Sequence, residues 1–206
     1  MLAKIRRNID ILYGIIAMSL VILISNILVS FPLGNWLTWA AFTYPFVFVV
    51  TDVCNRVRGP VYARYIVGTG FFIAVLLSFI LADPRVAFAS GSAFIISQVV
   101  NVTIFHRLDK IFMPKGIWWM SSLISTFFSG IFDTLIFFTL AFSSLLSFWW
   151  SVDPYVVGEI MWPFDITLPR WVGWATGDFS VKIFLSIFML VPFRCVTSKI
   201  LSKVDV

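Results

Sequence analysis

The stretch Thr43 to Arg56, TYPFVFVVTDVCNR, carries a carboxylate, Asp52, inside a nearly unbroken run of aromatic and β-branched residues. An acid in so apolar a run is costly if lipid surrounds it, so the medium around this chain has to be decided first. Of the 206 residues, 60% are hydrophobic and only 12% are charged. The mean hydropathy is +0.99. A soluble domain keeps about a quarter of its residues charged. The chain is therefore an integral membrane protein. Strand-like alternation of apolar and polar residues is absent, which argues against a barrel and for an all-α fold.

A helix needs about 20 apolar residues to cross the hydrocarbon. Six such segments can be drawn outward from the opening stretch: residues 9–31, 36–57, 65–82, 86–105, 117–150 and 174–201. They form one transmembrane domain over 1–206, with a long loop at 151–173 between the last two spans. Pro32-Leu-Gly34 closes the first span, and Asp83-Pro84 stops the third. The N-terminal MLAKIRRNID resembles a signal-peptide start, but the apolar stretch after it is too long and lacks a cleavage site, so a retained span is expected. The loop WWSVDPYVVGEIMWPFDITLPRW, Trp149 to Trp171, reads as an interfacial flap with aromatic anchors.

The basic residues orient the spans. Lys4, Arg6 and Arg7 precede span one; Arg56, Arg58 and Arg64 follow span two. Arg107, Lys110 and Lys115 follow span four; Arg194, Lys199 and Lys203 close span six. The other side has only Arg85 and Arg170. The positive-inside rule then puts both termini in the cytoplasm. The net charge of +5 thus reflects topology, with anionic lipid as a secondary contact and no nucleic-acid partner implied. Cys54 and Cys195 are far apart and lack metal-type neighbours, so neither a metal nor another cofactor is expected. His106 lies beside Arg107 at the inner end of span four, where it fits an interfacial side chain better than a catalytic base.

Polar residues inside spans usually face a partner or a watery cavity. Asp52, Asp133, Asp178 and Lys182 are the charged ones, joined by Asn26, Gln98 and Asn101. Helical spacing gathers Pro45, Phe48, Asp52 and Asn55 on one stripe, and Phe94, Gln98 and Asn101 on another. Ser122, Thr126, Ser129 and Asp133 share a third stripe, whose small residues suit helix packing. Asp178 and Lys182 stand at i and i+4, acid first, the favourable order for an ion pair. Asp52 either faces a cavity with Phe48 or turns to Arg56, one turn on. Asp133 has no base within two turns of its own helix.

ILISNILV (22–29) and FIISQVVN (94–101) match weakly, placing Asn26 against Gln98. The next span in each half carries an isolated acid, Asp52 or Asp133. Three spans per copy make the second copy inverted, an architecture of transporters with a polar site at the repeat interface.

ISNILV, YPFVFVVTDVCNRVRG, SAFIISQVVNVTIFHRLDK followed by Trp118-Trp119, STFFSGIFDTLIFF and DFSVKIFLSIFMLVP occur in this order and touch every span except the third. In these pieces the chain resembles the queuosine precursor transporter family of bacterial inner-membrane proteins, also called the vitamin uptake transporter family. The resemblance implies import of 7-deazaguanine precursors of the tRNA base queuosine, by a six-span protein that needs no ATPase partner. The family's recurring polar positions fall on Asn26, Asp52, Gln98, Asp133, Asp178 and Lys182. Asn101 stands where the family often has Asp, and Gly130 where it often has an amide. A purine-like cargo agrees with these side chains. A carboxylate, Asp52 or Asp133, accepts the paired N1–H and 2-amino donors, and Asn26, Gln98 or Asn101 serves the other edge. Lys182 pairs the second carboxylate, with Asp178–Lys182 as a structural or gating ion pair. Phe48, Phe94 or Tyr44 stacks on the ring. A homodimer is compatible with this reading. The main alternative, a substrate-binding subunit of an ATP-driven vitamin uptake complex, lacks the usual small-residue docking patch, since Ala17 is followed four later by Val21. An enzyme lacks a nucleophile–base pair, a phosphate loop and a metal cluster.

Overall fold

Asp83 shows how local chemistry sets the helix boundaries. Its carboxylate accepts from the backbone N–H of Arg85 at 2.8 Å and of Val86 at 3.3 Å. With Pro84 at the first helical position, this N-cap starts a 29-residue helix. The computed structural model describes residues 2–81, 83–144, 148, 151, 153–162 and 166–201. In chain order these form α1 (Leu2–Leu28), β1 (Pro32–Leu33), β2 (Leu37–Thr38), α2 (Ala40–Thr43), α3 (Phe46–Arg58), α4 (Pro60–Leu81) and α5 (Pro84–Phe112). After them come α6 (Met120–Phe142), α7 (Pro154–Val157), β3 (Glu159–Trp162), β4 (Ile166–Pro169), α8 (Arg170–Phe188) and α9 (Leu190–Leu201). The expected span ends at Ala82 and Trp150, and Trp149 and Pro163 to Asp165 of the expected flap, lie outside the described residues.

The fold is mostly helical. Among the described residues, Ile11–Leu28 of α1 and the whole of α4, α5 and α6 are long and apolar enough to cross a membrane. A fifth crossing arises if α8 and α9, bent by 45°, count as one span. Pro192 explains the bend. It has no N–H for the carbonyl of Phe188, and its ring crowds that turn.

The expected second span is not one helix. Residues 32–38 form an antiparallel hairpin, β1–β2, which turns at Gly34 with φ 69°. The chain then makes one turn of helix and breaks at Tyr44-Pro45, because Pro45 cannot donate to the carbonyl of Ala41. Two i→i+3 bonds carry the backbone across the break, Val47 N–H to Tyr44 at 2.9 Å and Phe48 N–H to Pro45 at 3.2 Å. A second antiparallel hairpin, β3–β4, occupies the expected flap and pairs Glu159 with Pro169 through Trp162 with Ile166. α8 accordingly begins at Arg170, four residues ahead of the expected boundary.

α5 packs chiefly on α6, and α1 on α4. Both contacts use small side chains, which let the backbones approach. Ala89, Ala93 and Ser97 of α5 and Ser125 and Ser129 of α6 are buried. Gly70 of α4 faces α1 so closely that an added Cβ would stand 2.8 Å from Cβ of Met18. Gly173 and Gly177 notch α8 in the same way for the β1–β2 turn. A Cβ on Gly177 would lie 1.8 Å from the carbonyl oxygen of Trp36, and one on Gly173 2.7 Å from that of Asn35. Trp174 between them donates its indole N–H to Gly34 at 3.2 Å. Phe72, Ile80, Ile95, Phe128, Leu135 and Phe184 point outward, whereas Asp52, Gln98, Asn101, Asp133, Asp178 and Lys182 are buried. Apolar outside and polar inside is the arrangement that lipid imposes.

Candidate functional site

The buried polar groups gather around two carboxylates. The first is Asp133 on α6. Its Oδ1 accepts the hydroxyls of Tyr44 at 2.9 Å and Ser97 at 3.1 Å. Its Oδ2 accepts the ammonium of Lys182 at 2.8 Å. Lys182, on α8, also pairs with Oδ2 of Asp178 at 2.5 Å and donates to the hydroxyl oxygen of Thr134 at 3.0 Å. Thr134 in turn donates to Asp178 Oδ2 at 2.9 Å. All three N–H groups of the ammonium are thus engaged. The cluster joins the α2–α3 break, α5, α6 and α8, and holds two carboxylates against one cation.

The second is Asp52 on α3. Asn101 of α5 donates its amide to Oδ1 at 2.8 Å, and the hydroxyl of Ser122 on α6 donates to Oδ2. Ser129 supports Asn101 by donating to its Oδ1 at 3.2 Å. Next to them Thr51 donates to Oε1 of Gln98 at 2.7 Å, while Nε2 of Gln98 is buried with no partner among the described residues.

These contacts remove one of the two readings of Asp52 left open in the sequence. Asp52 does not pair with Arg56. Arg56 donates to Asp109, to the carbonyl of Trp118 at 2.6 Å and to Ser121 at 3.0 Å. Asp133 finds its base on another helix, which spacing along α6 does not show. The Asp178–Lys182 pair forms as its spacing suggests. Ser122 and Ser129, read as packing residues, bind the Asp52 cluster instead. Asn26 donates to Ser78 of α4 at 2.9 Å. Phe94 stacks on Phe71, with centroids 4.6 Å apart and planes at 8°, and Phe48 packs edge-on to Tyr44.

Tyr44, Ser97 and Thr134 are the members that sequence reasoning passed over as hydrogen-bonding groups. Ser97 lies one turn before Asn101 on the buried stripe of α5, which was a usable signal. Tyr44 gave none, because its reach to Asp133 depends on the break at Pro45.

A small cavity of about 20 Å³ opens on the Asp133 cluster, lined by Asn26, Tyr44, Asp133, Phe138, Asp178 and Lys182. Neither Phe48 nor Phe94 lines it. A larger cavity of about 620 Å³ lies beyond, toward the C-terminal end of α1, with Arg85, Phe142, Tyr155 and Trp174 in its wall. Val29 lines both. Between them Phe142 packs on Phe138 and on Trp174, each at a centroid distance of 5.6 Å.

The family model described as "Putative vitamin uptake transporter" matches residues 38–83 and 77–196. The chain belongs to the vitamin uptake transporter family. The "Queuosine precursor transporter" of Escherichia coli (strain K12) is 30% identical over 89% of this chain and 84% of its own length. The "Probable queuosine precursor transporter" of Haemophilus influenzae is 26% identical over 82% of this chain and 72% of its own. That of Bacillus subtilis (strain 168) is 32% identical over 48% of this chain and 53% of its own. No solved structure matches significantly. This member of the family is a multi-pass inner-membrane transporter rather than an enzyme.

A further cluster lies at the end of the transporter opposite the large cavity. Arg56 bridges α3 to Asp109 of α5 and to the start of α6. Its guanidinium also lies 4.5 Å from the ring centroid of Phe193 on α9 and 5.3 Å from that of Phe105. Arg194 sits 5.0 Å over Trp118. Cation–π contacts and charge-assisted bonds tie four elements together at this end.

Proposed function

We propose that this transporter imports 7-deazaguanine precursors of queuosine across the inner membrane. The E. coli relative, aligned over 89% of this chain, carries this reading by its name. The interior supports it chemically. A purine-type base is flat and rimmed with donors and acceptors. The small cavity offers carboxylate, amide and hydroxyl groups beside the rings of Tyr44, Phe137 and Phe138. In a water-poor site these groups discriminate sharply, because a mismatched cargo leaves one of them unpaired. Asn26, Asp133 and Lys182 form the near wall of the proposed site. Asp52, Gln98 and Asn101, with Phe48 and Phe94 behind them, extend it.

In this reading the broken α2–α3 and the bent α8–α9 each act as a span, which brings the total to six. Both termini are cytoplasmic, and α1 to α4 and α5 to α9 form inverted copies. The counterparts Asp52 and Asp133 are both buried and hydrogen-bonded across helices, as a shared interior needs. A cysteine placed at exposed Lys115 tests the orientation: an impermeant thiol reagent should reach it only in inside-out vesicles.

The function is tested by thermal shift of the purified protein with 7-deazaguanines, guanine and queuine, followed by uptake in Asp133→Asn and Asp52→Asn. Stabilisation by a 7-deazaguanine and loss of uptake in at least one variant are expected. No stabilisation by any of the bases would count against the reading.

A further inference from the structure

The six carboxylate oxygens of Asp52, Asp133 and Asp178 differ in one respect. Both oxygens of Asp133 are taken, Oδ1 by Tyr44 and Ser97 and Oδ2 by Lys182. Both oxygens of Asp52 are taken, by Asn101 and Ser122. Asp178 gives its Oδ2 to Lys182 and Thr134, and its Oδ1 has no partner among the described residues. The residue is only 4% exposed and lines the small cavity. Asn26, on α1, repeats the pattern. It is 2% exposed, gives its amide N–H to Ser78, and has no partner for Oδ1 among the described residues, yet it lines the same cavity.

Buried acceptors are nearly always satisfied in folded proteins. Here two acceptors on largely buried residues, from α1 and α8, are left open where both residues border one space. Three further facts restrict what they suit. The ammonium of Lys182 has spent its donors, so the cavity's free polar capacity is that of an acceptor. Two carboxylates against one ammonium leave one negative charge in excess. The remaining walls include the rings of Tyr44, Phe137 and Phe138.

We infer that Oδ1 of Asp178 and Oδ1 of Asn26 are the acceptor pair for adjacent N–H donors on a flat cargo, the N1–H and 2-amino edge of a guanine-type base. The assignment rests on the transport reading above and changes its chemistry. Asp178 becomes the carboxylate that meets the cargo, and Asp133 with Lys182 positions it. The cavity of about 20 Å³ is smaller than a base. Entry therefore requires the Phe138–Phe142 layer to move toward the larger cavity.

The test is a ratio of affinities, which loss of stability alone does not change. Purified protein is titrated with 7-deazaguanine and with 7-deazahypoxanthine, the same ring without the 2-amino group. The wild type should favour the 2-amino base by about 10–150-fold, the value of one hydrogen bond to a charged acceptor. In Asp178→Asn, Lys182 and Thr134 retain the carbonyl oxygen, so the new N–H₂ turns to the cavity and opposes the donor edge. The ratio should then fall to about one or below. Asn26→Ala leaves all three charged groups in place and removes the acceptor of N1–H, which both bases carry, so it should weaken both several-fold at an unchanged ratio, which guards against misfolding of the first variant. A ratio unchanged in folded Asp178→Asn, or Asn26→Ala binding both bases as tightly as wild type, overturns the assignment while leaving the transport reading intact. A folded wild type that binds neither base overturns both.

Discussion

Asp133 and Asp52 are the same residue type, one in each half of the chain, and both are at most 2% exposed. Their surroundings are opposite in kind. Asp133 shares the ammonium of Lys182 with Asp178, whereas Asp52 meets only an amide and a hydroxyl. A buried carboxylate is thus accommodated in two ways: by a cation from a distant helix, or by neutral donors from its immediate neighbours. The first makes the site sensitive to the count of charges, and the second makes it sensitive mainly to shape.

The largest effect should come from breaking the charge count. Lys182→Met leaves two buried carboxylates facing each other, and removing one partner of a buried pair costs about 3–5 kcal/mol. A severe drop in melting temperature is expected, with partial recovery when Asp178→Asn is added. A Lys182→Met protein as stable as wild type would erase the distinction between the sites. Gly177→Ala comes next. Its methyl group would press on the carbonyl of Trp36 and displace the turn that leads to Tyr44, at a cost of about 1–3 kcal/mol in melting experiments. Tyr44→Phe removes one donor from Asp133 and should cost about 1–2 kcal/mol. Asp52→Asn should be the mildest, at less than about 1 kcal/mol. Its carbonyl can still accept from Asn101, and its new N–H₂ can donate to the rotated hydroxyl of Ser122. If Asp52→Asn destabilises as much as Lys182→Met, the neutral shell is not what holds Asp52.

The sequence made the membrane class, the helical fold and the buried polar set legible, because composition and 3.6-residue spacing carry them. The start of α5 was legible too, since Asp83-Pro84 is itself the cap. Pairing across helices was not. Spacing along α6 shows no base near Asp133, because Lys182 arrives from 49 positions away. The second span looked continuous, since hydropathy does not register a hairpin at 32–38 or the effect of Pro45. The glycines of α8 gave no warning either, because the turn they admit comes from the other end of the chain.

The break at Pro45 has a mechanical consequence. A continuous helix would transmit any tilt at Tyr44 rigidly to Asp52, two turns away. With the ladder interrupted and two i→i+3 bonds across it, that rigid coupling is absent. Tyr44 reaches Asp133 from one side of the break, and Asp52 meets Asn101 and Ser122 from the other. One proline thus gives the two halves of the polar interior separate articulations.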